Sequence, residues 1–197
     1  VVTRAEMAKM IYVLKNKGND DGASYFKGLS VPLNDISGHW AEGYIKYCYS
    51  LGIIAGKGDG TFAPDAPVTG LEAAKMLLVV AGYNAEKEGL VGTTWGVKVA
   101  ALGSTVGLFD GYTTSFDVGA PRQEAALLIF NTLGVTIVKY EDGQAQPTYI
   151  GASTVERTVQ YAFLGLEENV GILVESGYVS AINEIGAEGS LKIHKGT

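Results

Sequence analysis

The sequence predicts a mainly α-helical protein made of repeated helix–loop–helix units, followed by a small β-rich C-terminal segment. Three observations support this fold class: a helix-start motif that occurs three times, an apolar stripe at helical spacing that occurs twice, and a change of residue pattern after about residue 140. Apolar residues make up 47% of the 197 residues and charged residues 18%, so the chain can bury a substantial core. This composition argues against disorder.

The repeated helix start is the first of these observations. Three segments align without gaps, at residues 3–10, 69–76 and 121–128. Thr3 with Glu6, and Thr69 with Glu72, have the spacing of a capping box, in which a hydroxyl and a carboxylate each accept a free backbone N–H. Glu124 aligns with the two other glutamates. We therefore interpret all three glutamates as helix caps.

The apolar stripes precede the second and third helix starts. The two stripes, in matching order, are Trp40, Tyr44, Cys48 and Leu51, and Trp95, Val99, Leu102 and Val106. The spacing is i, i+4, i+8 and i+11 in the first stripe and i, i+4, i+7 and i+11 in the second, and both sets lie on one face of a helix. Gly52 and Gly107 then stand where a left-handed cap ends a helix. Each unit is thus a helix, a glycine-rich loop and a second helix, and three units should pack together because one pair cannot bury its own stripe.

The residue pattern after about residue 140 is typical of β-structure. Residues 158–166 and 190–194 favour strands, and residues 171–182 predict two short strands around a Ser-Gly turn. The Glu-Asp-Gly-Gln sequence at residues 141–144 is typical of a linker or an exposed turn. We expect this segment to begin a further domain.

The predicted organisation has four parts. Residues 1–28 are the second half of a first repeat, 29–84 a second repeat, 85–140 a diverged third repeat, and 141–197 the β-rich segment. The chain opens directly in a helical pattern, with neither an initial Met nor a signal segment. We therefore expect it to be a piece of a longer polypeptide.

Charge and composition argue against several classes of protein. The net charge of −6 disfavours nucleic-acid binding, which needs a basic face. No run of eighteen apolar residues is present, so we expect no transmembrane helix. One cysteine and two histidines offer no disulfide scaffold and no multi-cysteine zinc site. The catalytic Gly-x-Ser-x-Gly and His-Glu-x-x-His motifs are missing. We expect a non-catalytic protein without metal or cofactor.

The combined motifs strongly resemble the surface-layer homology (SLH) repeat. Asp-Ile-Ser-Gly-His-Trp-Ala at residues 35–41 is followed by Leu-Gly-Ile-Ile-Ala-Gly at 51–56 and Asp-Gly-Thr-Phe-Ala-Pro at 59–64. The Thr-Arg-Ala-Glu sequence at residues 3–6 carries the four-residue signature of that family in full. The resemblance covers about residues 1–135, and it is specific because these motifs occur in order and at matching spacing.

The resemblance implies a pseudo-threefold helical bundle at the bacterial cell wall or S-layer. Members of the family hold exported proteins non-covalently on secondary cell-wall polysaccharide, often one with a pyruvylated amino sugar, through grooves between repeats. The sequence departs from the signature at Gly70, where the family has arginine, and at Pro121, where it has threonine. We therefore expect unequal grooves, of which one or two bind.

Two other functions remain open at this point. The repeats could serve only as a scaffold or lattice component of a surface assembly, self-associating without glycan binding. Alternatively, they could be the anchor of a larger cell-surface hydrolase. Binding to purified cell walls distinguishes the first alternative from glycan anchoring. The sequence downstream of Thr197 decides whether the repeats anchor a hydrolase.

Arg4 and Arg122 are the first candidate ligand-binding residues. Each lies in the first turn of a predicted helix, where a cation opposes the helix dipole and where capping does not require it. A guanidinium beside free N–H groups forms a corner that binds carboxylates. Because this role is separate from folding, we expect the loss of Arg4 to leave folding intact.

The remaining candidates lie in the second and third units. Trp40 and Trp95 either pack in the core or line a groove and stack on a sugar. Asp35 either caps the Trp40 helix or binds a sugar hydroxyl. Lys57 and Asp59 belong to a Gly-Lys-Gly-Asp-Gly turn whose N–H groups face a polysaccharide in this interpretation. The turn lacks the Gly-Lys-Ser/Thr ending of a phosphate-binding loop.

Overall fold

The computed structural model describes residues 1–164, 177–185 and 188–195. The helices are α1 (Arg4–Lys15), a 3-10 helix (Ala23–Gly28), α2 (Glu42–Ser50), α3 (Gly70–Val80), α4 (Trp95–Thr105), α5 (Arg122–Leu133) and α6 (Val159–Leu164). The strands are β1 (Val138–Glu141), β2 (Gln144–Pro147), β3 (Gly177–Ile185) and β4 (Glu188–Lys195). The mainly helical fold class with a small β component is confirmed. The chain divides into two compact bodies, an N-terminal body (Val1–Leu166) and a C-terminal body (Glu167–Thr197).

A closed ring of three backbone hydrogen bonds joins the segments that lead into α1, α3 and α5. The N–H of Val2 donates to the carbonyl of Ala120 (2.9 Å), that of Ala120 to Val68 (2.8 Å), and that of Val68 to Val2 (2.9 Å). All three residues are buried in the common core. The ring gives the three helix starts the pseudo-threefold arrangement that the repeats predict.

The capping boxes of α1 and α3 form as predicted. Thr3 Oγ1 accepts the N–H of Glu6 at 3.1 Å, and Glu6 Oε2 accepts the N–H of Thr3 at 2.8 Å. Thr69 and Glu72 repeat both bonds, at 3.2 and 3.1 Å. Two of the free N–H groups at each helix start are therefore satisfied locally.

The stripe prediction is wrong at both ends of α2. Trp40 is 52% exposed and precedes the helix, and Leu51 is also exposed. The chain turns before the helix because Glu42 Oε2 accepts the N–H of Gly38, at 3.1 Å. The buried residues of α2 include Ile45 and Cys48.

The predicted left-handed glycines close the first helices of the second and third units. Gly52 has φ +68° and Gly107 has φ +74°. The N–H of Ile53 then donates back to the carbonyl of Cys48 at 3.0 Å, as in a Schellman motif. These caps turn the chain sharply from the helix into the glycine-rich loop.

The segment after α5 contains a β-hairpin and a helix. Strands β1 and β2 are antiparallel, and Asp142 (φ +49°) and Gly143 (φ +81°) form the exposed turn, which confirms that prediction. The strand predicted at residues 158–166 is wrong, because α6 occupies this place. The carbonyl of Thr158 accepts the N–H of Ala162 at 3.0 Å, which is the first helical bond.

The C-terminal body, Glu167–Thr197, contains an antiparallel pair of strands. Strand β3 runs opposite β4, from the pair Gly177–Lys195 to the pair Ile185–Glu188. The strand predicted at residues 190–194 is therefore confirmed, and residues 177–182 of the other prediction lie in β3. The part of that prediction at residues 171–176 lies outside the described residues.

Candidate functional site

A groove of about 490 Å³ lies beside the starts of α1, α3 and α4. It is lined by the glycine-rich loop at residues 53–58 and by residues of all three units, among them Arg4, Lys57, Glu72, Lys75, Met76 and Trp95. We call it the first groove. It brings together four charged side chains and an indole from positions up to 91 residues apart in the chain.

Arg4 is a buried structural residue of the first groove. Its side chain is 4% exposed; Nε donates to the carbonyl of Phe62 (2.7 Å), Nη1 to Glu72 Oε1 (2.9 Å), and Nη2 to the carbonyl of Ala55 (3.3 Å). The guanidinium also lies 4.5 Å from the centre of the Phe62 ring. The expectation that the role of Arg4 is separate from folding is therefore wrong, because its loss would leave these partners without their hydrogen bonds.

Glu72 caps α3 and also holds two cations of the groove. Its Oε1 accepts from Arg4 and from Lys57 Nζ, the latter at 2.6 Å. Burial raises the pKa of Glu72, but hydrogen bonds from Lys57 and Thr69 and the charge of Arg4 outweigh it, so the pKa lies below its usual value. The carboxylate is ionised at neutral pH and balances one of the three cations.

Lys75 is a functional candidate that the sequence reasoning missed. Its Nζ lies 5.6 Å from the centre of the half-buried Trp95 ring. Within residues 1–164 it forms no ion pair. Burial and the charge of Arg4 lower the pKa of Lys75, and Glu72 opposes this shift. Its position, three residues after Glu72 and hence on the same helix face, was the available signal.

A second groove, of about 630 Å³, repeats the same plan between other units. Glu6, Lys9, Trp40 and Arg122 line it, in the places that Glu72, Lys75, Trp95 and Arg4 take in the first groove. Arg122 Nη2 bonds Glu6 Oε1 at 3.0 Å, but its side chain is 76% exposed. The remaining wall is apolar and includes Met10, Val13 and Ile129. Trp40 thus lines a groove, and core packing is wrong for this residue.

The two aspartates among the candidates fix loop geometry. Asp35 Oδ1 and Oδ2 accept the N–H groups of Phe62 (2.8 Å) and Ala63 (2.7 Å), so it does not cap α2 as one prediction held. Asp59 Oδ1 accepts the N–H and the hydroxyl of Thr61, at 2.9 and 2.6 Å. Neither aspartate lines the first or the second groove.

Glu124 is not the cap that its alignment predicted. The residue before α5 is Pro121, which has no N–H to donate. Glu124 Oε1 instead accepts the N–H and hydroxyl of Thr113, at 3.2 and 2.7 Å, and the hydroxyl of Thr114 at 3.2 Å. The carboxylate is consequently directed toward the loop before α5, where it is buried.

Comparison with known proteins finds a family match in one segment of the chain. A family model described as the S-layer homology domain matches residues 32–74. The resemblance seen in the motifs is therefore confirmed for that segment.

Three curated proteins are similar to the chain. A cell surface protein of Thermoanaerobacter kivui is 27% identical over 92% of this chain. From Acetivibrio thermocellus, a cellulosome-anchoring protein is 35% identical and cell surface glycoprotein 1 is 38% identical, each over 39% of this chain. The matches span 24%, 17% and 3% of the three relatives' own lengths. The SLH domain and these relatives support an extracellular location at the cell wall or S-layer.

None of the helices within the described ranges is long and apolar enough to cross a bilayer.

Proposed function

We propose that this chain anchors an exported protein non-covalently to secondary cell-wall polysaccharide, and that the first groove binds an acidic group of that polymer. The observation that carries the proposal is the set of three cations, Arg4, Lys57 and Lys75, around the single carboxylate of Glu72. The side chains that line the groove therefore carry an excess of two positive charges. The local field decides what a groove attracts, so the net charge of −6 on the whole chain is no obstacle.

The shape and the aromatic wall of the first groove suit a sugar acid. Trp95 offers a half-buried indole on which a sugar ring stacks. Arg4 is 4% exposed and makes three hydrogen bonds within the protein, so it contributes positive charge to the groove. A pyruvylated amino sugar carries the carboxylate, the ring face and the small apolar substituent that this combination of groups accommodates.

The second groove offers the same set of groups with a lower positive excess. Lys9 and Arg122 stand against Glu6, and Lys9 is also paired with Asp20 at 2.8 Å. Trp40 is exposed enough to stack on a sugar. We assign this groove a second, weaker contact with the same polymer. The names of the relatives describe surface and anchoring proteins and no enzyme, which supports a non-catalytic role.

A pull-down on purified bacterial cell walls tests the proposal. The chain should sediment with native walls and remain in solution with walls from which the polysaccharide has been extracted. Equal sedimentation with both preparations, or with neither, would contradict glycan anchoring. A chain that forms assemblies on its own and ignores the walls would favour the scaffold function.

A further inference from the structure

The interface between α3 and α5, which we call the third interface, differs from the two grooves at the position of the arginine. Helices α1 and α5 begin with Arg4 and Arg122, whereas α3 begins with Gly70. A Cβ atom on Gly70 would clash with Tyr112 Oη and would lie 3.0 Å from Tyr112 Cζ. The phenol of Tyr112 therefore occupies the space into which an arginine side chain would leave the helix.

The glutamate of this third interface has lost both partners that its counterparts have. Glu72 and Glu6 each accept the N–H of the N-cap residue and a bond from an arginine of a neighbouring unit. The N-cap residue of α5 is a proline, which has no N–H to donate, and Gly70 supplies no guanidinium. Within residues 1–164, Glu124 Oε2 and Tyr112 Oη are buried without hydrogen-bond partners.

Aromatic packing fills the third interface. Phe116 lies 4.4 Å from Phe109 and 5.3 Å from Tyr112, measured between ring centres. The carbonyl of Phe116 accepts the N–H of Leu71 at 3.0 Å, which ties this loop to the first turn of α3. The lysine of the two grooves is also replaced, by Leu127. The interface thus keeps the glutamate of the two grooves but has neither their arginine nor their lysine.

We propose that Tyr112 takes the place of the missing arginine and closes the third interface to acidic ligands, which leaves this chain with two anion-binding grooves. The proposal rests on the function assigned above to the first groove. It makes Tyr112 and Gly70 the residues that decide how many grooves the three units offer. A carboxylate ligand would meet the charge of Glu124 there, without a neighbouring cation to offset it.

A double-mutant cycle tests whether Tyr112 occupies the place of an arginine. Gly70→Arg alone should lower the urea midpoint of unfolding because the new side chain collides with the phenol. Tyr112→Ala alone should also lower it because the change leaves a void. In the double variant the arginine can enter the void and pair with Glu124. Its urea midpoint should then exceed the value that the two single changes predict by addition. Additive losses would overturn the proposal.

Tyr112→Phe keeps the test decisive if the double variant does not fold. It retains the ring and removes only the unpartnered hydroxyl, so its urea midpoint should equal or exceed that of the wild type. A clear fall in the midpoint would show that the hydroxyl bonds a partner and would overturn the space-filling role.

Titration with purified wall polysaccharide separates this proposal from the function on which it rests. Tyr112→Phe should bind as the wild type does, whereas Lys75→Met in the first groove should bind more weakly. Equal weakening by both variants would make the third interface a binding groove and overturn its closure. If the wild type fails to bind, the proposed function fails, and the unfolding cycle still decides the role of Tyr112.

Discussion

Arg4→Leu is expected to lower the free energy of unfolding by about 3–5 kcal/mol, the usual cost of removing one partner from a buried ion pair. The change leaves Glu72 without its arginine and the carbonyls of Phe62 and Ala55 without their donors. Leucine fills part of the volume and supplies no donor, so the loss reports the stranded polar groups. Urea unfolding followed by circular dichroism measures it.

Arg122→Leu is the matched control, because it removes the equivalent arginine at an exposed position. Arg122 is paired with Glu6, but its side chain is 76% exposed. An exposed pair contributes about 0–1 kcal/mol, so this variant should unfold almost as the wild type does. Equal losses for the two variants would contradict the structural role that the contacts of Arg4 indicate.

Lys75→Met is expected to weaken binding of the wall polysaccharide about tenfold to a hundredfold. A hydrogen bond to a charged group is worth about 1.5–3 kcal/mol, and 1.4 kcal/mol corresponds to a factor of ten. Methionine keeps an apolar stem beside Trp95, and Lys75 forms no ion pair within residues 1–164. Folding should therefore persist while affinity falls, as isothermal titration calorimetry would show.

Lys98→Met controls for the loss of one positive charge. Lys98 lies on α4, is exposed, and lines neither groove. Its replacement changes the net charge by the same amount but leaves the first groove intact. Comparable affinity losses for Lys75→Met and Lys98→Met would show that binding depends on overall charge, which would contradict a specific site.

Sequence reasoning succeeded where the determining contacts are local. The capping boxes of Thr3 and Thr69 need only residues three positions apart, and Gly52 and Gly107 need only the adjoining helix turn. The pseudo-threefold plan also followed from sequence, because three alignable helix starts require equivalent surroundings. The Glu-Asp-Gly-Gln turn was predictable because adjacent residues set its backbone geometry.

Sequence reasoning failed where a side chain is fixed by distant residues. Within its own helix Arg4 has no partner, so the local sequence predicts a free cation. The residues that bind its side chain are 51 to 68 positions away: Ala55, Phe62 and Glu72. Its burial could not be inferred from the helix dipole alone. Lys75 was overlooked for a related reason, since its environment is set by Trp95 from another unit.

Two predictions were wrong although the sequence also contained a contrary signal. Glu124 aligns with the capping glutamates, yet Pro121 before it has no N–H, so its cap was chemically impossible. At residues 158–166 the apolar residues suit a strand and a helix alike. Thr158 starts a helix there, and Lys15 Nζ of α1 lies 4.0 Å from the centre of the Phe163 ring.

The first groove is proposed to recognise an acidic group on the wall polymer. The most direct measurement is a calorimetric titration of the wild-type chain with purified wall polysaccharide and with the same polymer after chemical reduction of its carboxyl groups to alcohols. We expect the native polymer to bind and the reduction to weaken binding about tenfold or more, since the attraction of the carboxylate to Arg4, Lys57 and Lys75 is lost. Unchanged affinity for the reduced polymer would contradict this proposal.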